Sequence, residues 1–206
     1  MTFDPLVFWT SFAVIVPAEL PDKTFIATIV LATRYRLRYV WLGVGLAFAI
    51  QMTIAVLAGG LFAFLPNQVV LTATAVLFAV GSAILIRSGL RHRATEMAAV
   101  SAERQEVEER MRPVTRDWQA FGIAFAVVFI AEWGDLTQIL TAGLAARTEE
   151  PLSVGLGAWV ALIVVSAIGV LAGRVLNGRI ALWRLRLVSG AILAALAAWS
   201  VWELIS

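Results

Sequence analysis

The feature that most constrains this chain is an internal repeat. The 23 residues of Phe12–Arg34 align without a gap to those of Phe125–Arg147, and 12 of the positions are identical. Shared apolar composition gives chance matches of Ala, Val and Leu, but it does not also give coincident Glu, Asp and Thr. Two shorter similarities follow in the same order, GVG against GLG and VGSAIL against VSGAIL, beginning at Gly43, Gly155, Val80 and Val188. The chain is therefore predicted to be a duplicated unit.

Composition places this unit in a membrane. Hydrophobic residues make up 61% of the 206 residues, and the mean hydropathy is +0.88, whereas soluble domains are about 45–50% apolar. Charged residues are clustered, which leaves uncharged runs of the ~20 residues that a spanning helix needs. The absence of cysteine excludes disulfides and thiolate metal sites. The basic residues lie in short loops between apolar runs, a pattern that indicates a membrane topology rather than nucleic-acid binding.

Six apolar segments predict six membrane-spanning helices. Their approximate bounds are 6–33, 39–64, 69–90, 118–146, 152–176 and 183–204. The polar segment between the third and fourth spans is predicted to be an exposed helix ended by Pro113, serving as a solvated linker or as a regulatory or docking element. The predicted domains are a first three-span repeat at 1–90, a cytoplasmic linker at 91–117, and a second, inverted repeat at 118–206.

The odd number of spans in each copy inverts the second copy relative to the first. An all-α membrane protein made of two inverted three-helix repeats, with broken helices near the midplane, is typical of secondary transporters. Of the 16 Lys and Arg residues, 14 fall on one side of the six-span arrangement, Arg147 falls on the other, and Lys23 lies within the first span. This asymmetry predicts that the 14 face the cytoplasm and that both termini are extracytoplasmic.

Each repeat carries a Glu and an Asp, three residues apart, near the middle of its first span. These are Glu19 and Asp22 in the first copy, and Glu132 and Asp135 in the second. Of the 14 acidic residues in the chain, only these four lie deep in a predicted span. A charge at the bilayer centre costs about 2.5–3.5 kcal/mol on insertion scales. We therefore expect the four side chains to converge in the protein interior, where the two copies meet.

The backbone around these acids is expected to be irregular. Pro17 and Pro21 each lack a backbone donor and clash with a preceding carbonyl, and Gly134 stands at the position equivalent to Pro21. Irregular backbone at this depth is tolerated only where it is buried or lines a cavity. Carbonyl oxygens freed by the breaks, and the hydroxyls of Thr24 and Thr137, are then available beside the carboxylates. Such an oxygen-only site suits a hard divalent cation such as Ca²⁺, Mn²⁺ or Mg²⁺.

Charge balance links this cation site to protons. The four carboxylates and Lys23, which is interpreted as a counter-ion or a snorkelling residue, sum to −3, and a divalent ion leaves −1. Without the ion, the crowded like charges favour bound protons. Mutually exclusive occupancy by a cation or by protons is the minimum that an antiporter needs.

Two glutamines within spans are further candidates. Gln51 and Gln138 each offer an amide oxygen, although glutamines in membranes more often form hydrogen bonds between helices. Gln138 follows directly on the second motif, and it is retained in the predicted metal-binding set. That set is Glu19, Asp22, Glu132, Asp135, Thr24, Thr137 and Gln138.

The two motifs resemble those of the calcium/manganese–proton antiporter family named for its Golgi members, which is grouped with the lysine-exporter superfamily. The family hallmark is a duplicated Glu-x-Gly-Asp-Lys/Arg-Thr/Ser. The first copy here reads ELPDKT from Glu19, with Pro in place of Gly, and the second reads EWGDLT from Glu132, with Leu in place of the basic residue. The resemblance covers essentially the whole chain.

This resemblance implies exchange of Mn²⁺ or Ca²⁺ for protons, with no cofactor beyond the transported ions. It implies that the four acidic residues bind the cation, and less directly that Thr24 and Thr137 do. Bacterial relatives of the family are implicated in manganese export. The resemblance therefore implies export of the metal across the plasma membrane of a bacterium, with the lipid bilayer, the cation and protons as the partners.

Other functions stay open at this point. An exporter of small organic cations, such as basic amino acids, needs a larger pocket with groups for a substrate carboxylate, and Lys23 is the only base within a span. A passive cation channel can also contain inverted repeats. An intramembrane aspartyl protease built on Asp22 and Asp135 is disfavoured, because each Asp follows a Glu and a protease needs no duplication. The chain is therefore predicted not to be an enzyme.

Overall fold

The computed structural model describes residues 3–19, 23–62, 66–90, 93–111, 116–175 and 182–205, and these residues are almost entirely helical. The helices are α1 (Pro5–Glu19), α2 (Lys23–Arg34), α3 (Leu37–Phe62), α4 (Asn67–Leu90), α5 (Arg93–Arg110), α6 (Asp117–Ala131), α7 (Leu136–Thr148), α8 (Pro151–Val175) and α9 (Leu182–Ile205). The predicted spans correspond, in order, to α1 with α2, α3, α4, α6 with α7, α8, and α9. The predicted all-α fold is confirmed.

The described helices differ in their ability to cross a membrane alone. Leu37–Leu61, Gln68–Leu90 and Pro151–Gly169 are long and apolar enough, and the bent pair α6–α7 supplies a fourth span. The apolar helices at Pro5–Glu19 and Leu187–Trp202 are shorter. The chain is a multi-pass membrane protein.

The contacts between helices are preserved when the two repeats are exchanged. In this exchange α1, α2, α3 and α4 correspond to α6, α7, α8 and α9. α1 packs on α8 as α6 packs on α3, and α2 packs on α8 as α7 packs on α3, while α4 packs on its own counterpart α9. This is the contact pattern of two copies related by a two-fold axis. The duplication that the sequence shows is therefore also present in the packing.

Two glycines permit the closest of these crossings. A Cβ atom at Gly157 would clash with the carbonyl oxygen of Phe8, and one at Gly43 would clash with that of Phe121. Phe8 and Phe121 are 113 residues apart, as in the repeat alignment, so Gly43 and Gly157 are equivalent. The sequence pairing of Gly43 with Gly155 is therefore wrong by two residues. A pattern of two glycines fits two registers, and only the contacts distinguish them.

α4 and α9 cross at the small residues of the third sequence similarity. Ser82 donates a hydrogen bond from Oγ to the carbonyl oxygen of Gly190 over 2.7 Å. A Cβ atom at Gly190 would lie 2.6 Å from Cγ1 of Ile86 and 3.1 Å from its backbone nitrogen. Ser82 and Gly190 hold the same place in VGSAIL and VSGAIL. Small residues let membrane helices approach closely, so this crossing depends on them.

The polar segment between the repeats forms α5, which packs on α2. Val107 is buried, and Met111 packs against the same core. Arg110 pairs with Glu106 on the exposed surface of the helix. The helix predicted for this segment is present. It ends at Arg110, and Pro113 lies outside the described residues. The division of the chain into domains at this segment stays a prediction.

Candidate cation site

The fourth predicted span is divided into two helices at the second motif. α6 ends at Ala131, Glu132 is its C-cap, and Asp135 is the N-cap of α7. Between them Gly134 has φ +76°, a left-handed conformation that glycine adopts without steric cost. The axes of α6 and α7 differ in direction by 73°. The break that Gly134 predicts is therefore present.

Two glutamine side chains bind the backbone groups that this break releases. Gln51 on α3 donates from Nε2 to the carbonyl oxygen of Phe129 over 3.1 Å. Gln138 on α7 donates from Nε2 to the carbonyl oxygen of Glu132 over 2.8 Å, and its Oε1 accepts from the N–H of Gly134 over 3.2 Å. Buried backbone groups without partners are costly. The two amides therefore stabilise the irregular backbone.

Three carboxylates from the two repeats converge beside the break. One carboxylate oxygen from each of Glu19, Glu132 and Asp135 lies within 4.8 Å of the other two. Glu19 is 1% exposed and Glu132 is 5% exposed. Thr137 is also buried, and it donates from Oγ1 to Oε2 of Glu19 over 2.9 Å. This hydrogen bond joins α7 of the second repeat to α1 of the first, so the acids meet at the contact between the copies.

The structure does not describe every residue of the predicted site. Asp22 lies outside the described residues, as do the side chains of Lys23 and Thr24. Gln138 is beside the carboxylates, but both ends of its amide are bound to backbone groups of the break. The structure therefore brings together five of the seven predicted residues. Their binding of a metal stays a prediction.

Asp135 occupies a helix N-cap without capping the helix. Aspartate at this position commonly accepts a hydrogen bond from the first turn, yet the Asp135 side chain makes no such bond. Its Oδ2 atom is buried and has no hydrogen-bond partner among the described residues. A buried carboxylate oxygen without a donor is unfavourable, and a bound cation or proton removes that cost. Asp135 is therefore available to an ion rather than committed to its helix.

A cavity lies against these carboxylates, with about 170 Å³ of empty space that includes its open mouth. α3 and α8 supply the facing walls through Phe48, Gln51, Met52 and Leu162. Phe48 and Leu162 are 114 residues apart, as Gly43 and Gly157 are, so they are equivalent in the two repeats. Sequence reasoning missed Phe48, Met52 and Leu162, because apolar residues in a membrane helix do not indicate which of them face a cavity. The corrected repeat register is the signal that pairs Phe48 with Leu162.

Comparison with known proteins identifies the family. A sequence model described as "Divalent cation/proton antiporter GDT1" matches residues 7–93 and 120–206. The chain belongs to this family. The two matched ranges fall in the two predicted repeats, and members of the family are cation/proton exchangers, which are transporters rather than enzymes.

Individual relatives match along nearly the whole chain. The GDT1-like protein sll0615 of Synechocystis sp. is 33% identical over 203 residues, which cover 97% of this chain and 98% of the relative. The PAM71-homolog, chloroplastic, of Arabidopsis thaliana is 28% identical over 209 residues, or 93% of this chain and 58% of that protein. GDT1-like protein 3 of Arabidopsis thaliana is 29% identical over 194 residues, which cover 86% of this chain and 64% of that protein. The chain thus spans less than two thirds of either Arabidopsis protein. No solved structure matches the chain.

One departure of this GDT1 family member from the motif has a structural context. Leu136 stands where the hallmark has a basic residue, and it is the first residue of α7. A Cβ atom at Gly81 would lie 2.9 Å from Cδ2 of Leu136, so the leucine side chain packs on α4. A cationic side chain in this direction would meet an apolar helix. The apolar residue therefore fits its surroundings in the second repeat.

Proposed function

We propose that this protein exports Mn²⁺ from the cytoplasm in exchange for protons, across the plasma membrane of a bacterium and with both termini extracytoplasmic. The observation that carries the proposal is the cluster of Glu19, Glu132 and Asp135 within 4.8 Å. Carboxylate, carbonyl and hydroxyl oxygens suit Mn²⁺, Ca²⁺ and Mg²⁺. Mn²⁺ is favoured over Ca²⁺ by the resemblance to bacterial relatives implicated in manganese export.

In this proposal the ion is held jointly by the two repeats. Glu19 contributes from the end of α1, and Glu132 and Asp135 contribute from the α6–α7 break. Asp22 and Thr24 complete the first-repeat side, and Lys23 balances charge there. Thr137 orients Glu19 through its hydroxyl hydrogen bond. Gln138, whose amide is bound at both ends, supports the break rather than supplying a primary ligand.

Exchange follows from the charge of the site. Negative charges this close together, in the low-dielectric interior of a membrane protein, require compensation. A divalent cation supplies it in one state, and protons supply it in the other. Because Glu19 belongs to the other repeat from Glu132 and Asp135, a movement of one repeat against the other separates the ligands and releases the ion. Proton binding then restores neutrality for the return step.

The cavity disfavours a basic amino acid as the substrate. Sites for small organic molecules usually enclose about 300–1,000 Å³, and the whole empty space here is only about 170 Å³ even with the open solvent at its mouth included. The site is therefore better matched to a small, dehydrated or partly hydrated ion. A passive channel has the same ligands, and only a test of coupling separates it from an antiporter.

The test is ion flux in proteoliposomes with an imposed pH gradient. Wild-type protein should move Mn²⁺ against its gradient at the expense of the proton gradient, and Ca²⁺ is measured in parallel. Glu19→Gln and Glu132→Gln should each abolish exchange, while Glu108→Gln removes the same charge from an exposed position on α5 and should leave it intact. Flux of Mn²⁺ without proton counterflow would show a channel, and an active Glu19→Gln/Glu132→Gln double variant would refute the site.

A further inference from the structure

Gln51 is a buried polar side chain that connects the cavity to the end of α6. It lies near the middle of α3, is 1% exposed, and lines the same cavity as the three carboxylates. Its Nε2 donates to the carbonyl oxygen of Phe129 over 3.1 Å. Because a carbonyl oxygen can only accept a hydrogen bond, this contact fixes which end of the amide faces α6.

The bond to Phe129 exists because of the break in the fourth span. In a continuous helix the Phe129 carbonyl would accept from the N–H of Trp133. That N–H is instead directed to the carbonyl of Ile130, over 3.5 Å. Gln51 therefore replaces the missing helical donor. An ionised glutamate of the same size could not do so, since it has no hydrogen to donate.

The opposite end of the amide is consequently free to act in the cavity. Oε1 of Gln51 accepts no hydrogen bond from any residue that the structure describes. An amide oxygen has two lone pairs, which can accept a hydrogen bond from water or bind a cation. The cavity that Gln51 borders also contains the carboxylates of Glu19, Glu132 and Asp135. A cation there, or a water molecule attached to it, would satisfy the oxygen.

The two repeats differ at this position. In the register that equates Gly43 with Gly157, the counterpart of Gln51 on α8 is Val165, which is buried and apolar. Packing of the duplicated helices therefore does not itself require an amide here. The polar group is present only on the side where Glu132 and Asp135 are brought to the cavity.

We propose that Oε1 of Gln51 is a neutral ligand to the transported divalent cation, fixed in direction by the bond from Nε2 to Phe129. This inference rests on the proposed function and extends its set of ligands to α3. A neutral oxygen raises the coordination number without adding negative charge. It therefore strengthens cation binding without adding a group that must take up a proton when the cation leaves, and it limits the number of protons exchanged for each ion.

The test measures Mn²⁺ binding to the purified full-length protein in nanodiscs, by calorimetry in buffers of different ionisation enthalpy. This gives the dissociation constant and the number of protons released for each ion bound. Gln51→Leu removes both ends of the amide, and Gln51→Glu keeps an oxygen but adds a charge. Thr53→Val is the control, because Thr53 is an exposed residue on the same helix, and among the described residues its hydroxyl bonds only to the Ala49 carbonyl of α3.

Gln51→Leu should raise the dissociation constant at least about tenfold, the smallest effect usual for loss of a group that supports a metal site. Gln51→Glu should retain Mn²⁺ binding and increase the number of protons released for each ion, while Thr53→Val changes neither quantity. If Gln51 served only to bind the Phe129 carbonyl, the result would differ. Both Gln51 variants would then lower the melting temperature of the ion-free protein and leave the dissociation constant and proton release unchanged, and this outcome would overturn the inference.

A parallel measurement on Glu19→Gln separates this inference from the function on which it rests. If wild-type protein and Glu19→Gln bind Mn²⁺ equally, or if neither binds it, the proposed function fails. If Glu19→Gln loses binding while Gln51→Leu binds as tightly as wild type, the function stands and Gln51 is not a ligand. If Gln51→Leu does not fold, the proton count of Gln51→Glu decides.

Discussion

The α4–α9 crossing and the cation site are both contacts between the two repeats, but they are built differently. At the crossing, equivalent residues meet each other, and Ser82 bonds directly to its counterpart Gly190. At the site, the counterparts Glu19 and Glu132 lie in one cluster with Asp135, and Glu19 also accepts a hydrogen bond from Thr137 of the other repeat. The α4–α9 crossing is made of small, closely packed residues, whereas the cation site is polar and contains a cavity. The comparison indicates that the duplication supplies a symmetric frame at both contacts, and that the side chains at each contact decide whether it is close-packed or polar.

The largest expected effect comes from the polar contact. Glu132→Gln removes one of three clustered carboxylates, so cation/proton exchange should fall at least about 100-fold, which corresponds to ~2.7 kcal/mol. The melting temperature of the ion-free protein should not decrease, because the substitution relieves repulsion among like charges. Flux in proteoliposomes and a thermal melt of the same preparation check both statements. Loss of folded protein would mean that the carboxylate is structural.

The α4–α9 crossing should respond in the opposite way. Gly190→Val places side-chain atoms against Ile86, and overpacking of this kind typically costs about 1–3 kcal/mol. The melting temperature should fall, while the Mn²⁺ dissociation constant of the remaining folded protein stays the same. Gly60→Val is the matched control, since a Cβ atom at Gly60 would meet nothing within 4 Å. Equal destabilisation by both variants would contradict the assigned close approach.

Removing the hydrogen bond between the repeats at the site should have an intermediate effect. Thr137→Val keeps the shape of the side chain but leaves Oε2 of Glu19 without this donor. Hydrogen bonds to charged groups contribute about 1.5–3 kcal/mol, and we expect Mn²⁺ affinity to decrease about tenfold. Thr137→Ser, which retains a hydroxyl, should restore most of the affinity. If the serine variant is as weak as the valine variant, the methyl group and not the hydroxyl is what matters.

The smallest effect is expected for the hydrogen bond at the crossing. Ser82→Ala removes the donor to Gly190 without adding volume, and such bonds between membrane helices contribute about 0.6 kcal/mol on average. The melting temperature should decrease only slightly, and exchange activity should not change. A larger loss than that of Gly190→Val would show that the bond, rather than close packing, holds α4 against α9.

Much of this arrangement is predictable from the sequence, because its strongest signals are polar or helix-breaking residues within apolar segments. Carboxylates in the middle of apolar segments can persist only in a protein interior, so Glu19, Glu132 and Asp135 indicate their own convergence. Gly134 likewise predicts the break that separates α6 from α7. The duplication of three spans predicts that equivalent pairs of helices in the two repeats make equivalent contacts. These inferences need only local patterns and the cost of polar groups in lipid.

Other features depend on contacts that the sequence pattern does not specify. Gln138 was predicted as a metal ligand from its place beside the motif, but the backbone of the break binds both ends of its amide. The partner of Gln51 is a carbonyl released by a distant break, so the relation between the two is invisible along the chain. The packing of α5 on α2 through Val107 was not predicted, because scattered apolar residues in a polar helix carry little signal.

The double attachment of Gln138 has a mechanical consequence. Its amide donates to the Glu132 carbonyl at the end of α6 and accepts from the N–H of Gly134 within the break. Straightening the α6–α7 bend would therefore break both hydrogen bonds. We therefore expect α6 and α7 to move together as one rigid body during the transport cycle. We expect the movement to occur instead between the repeats, where Thr137 on α7 donates its hydrogen bond to Glu19 on α1.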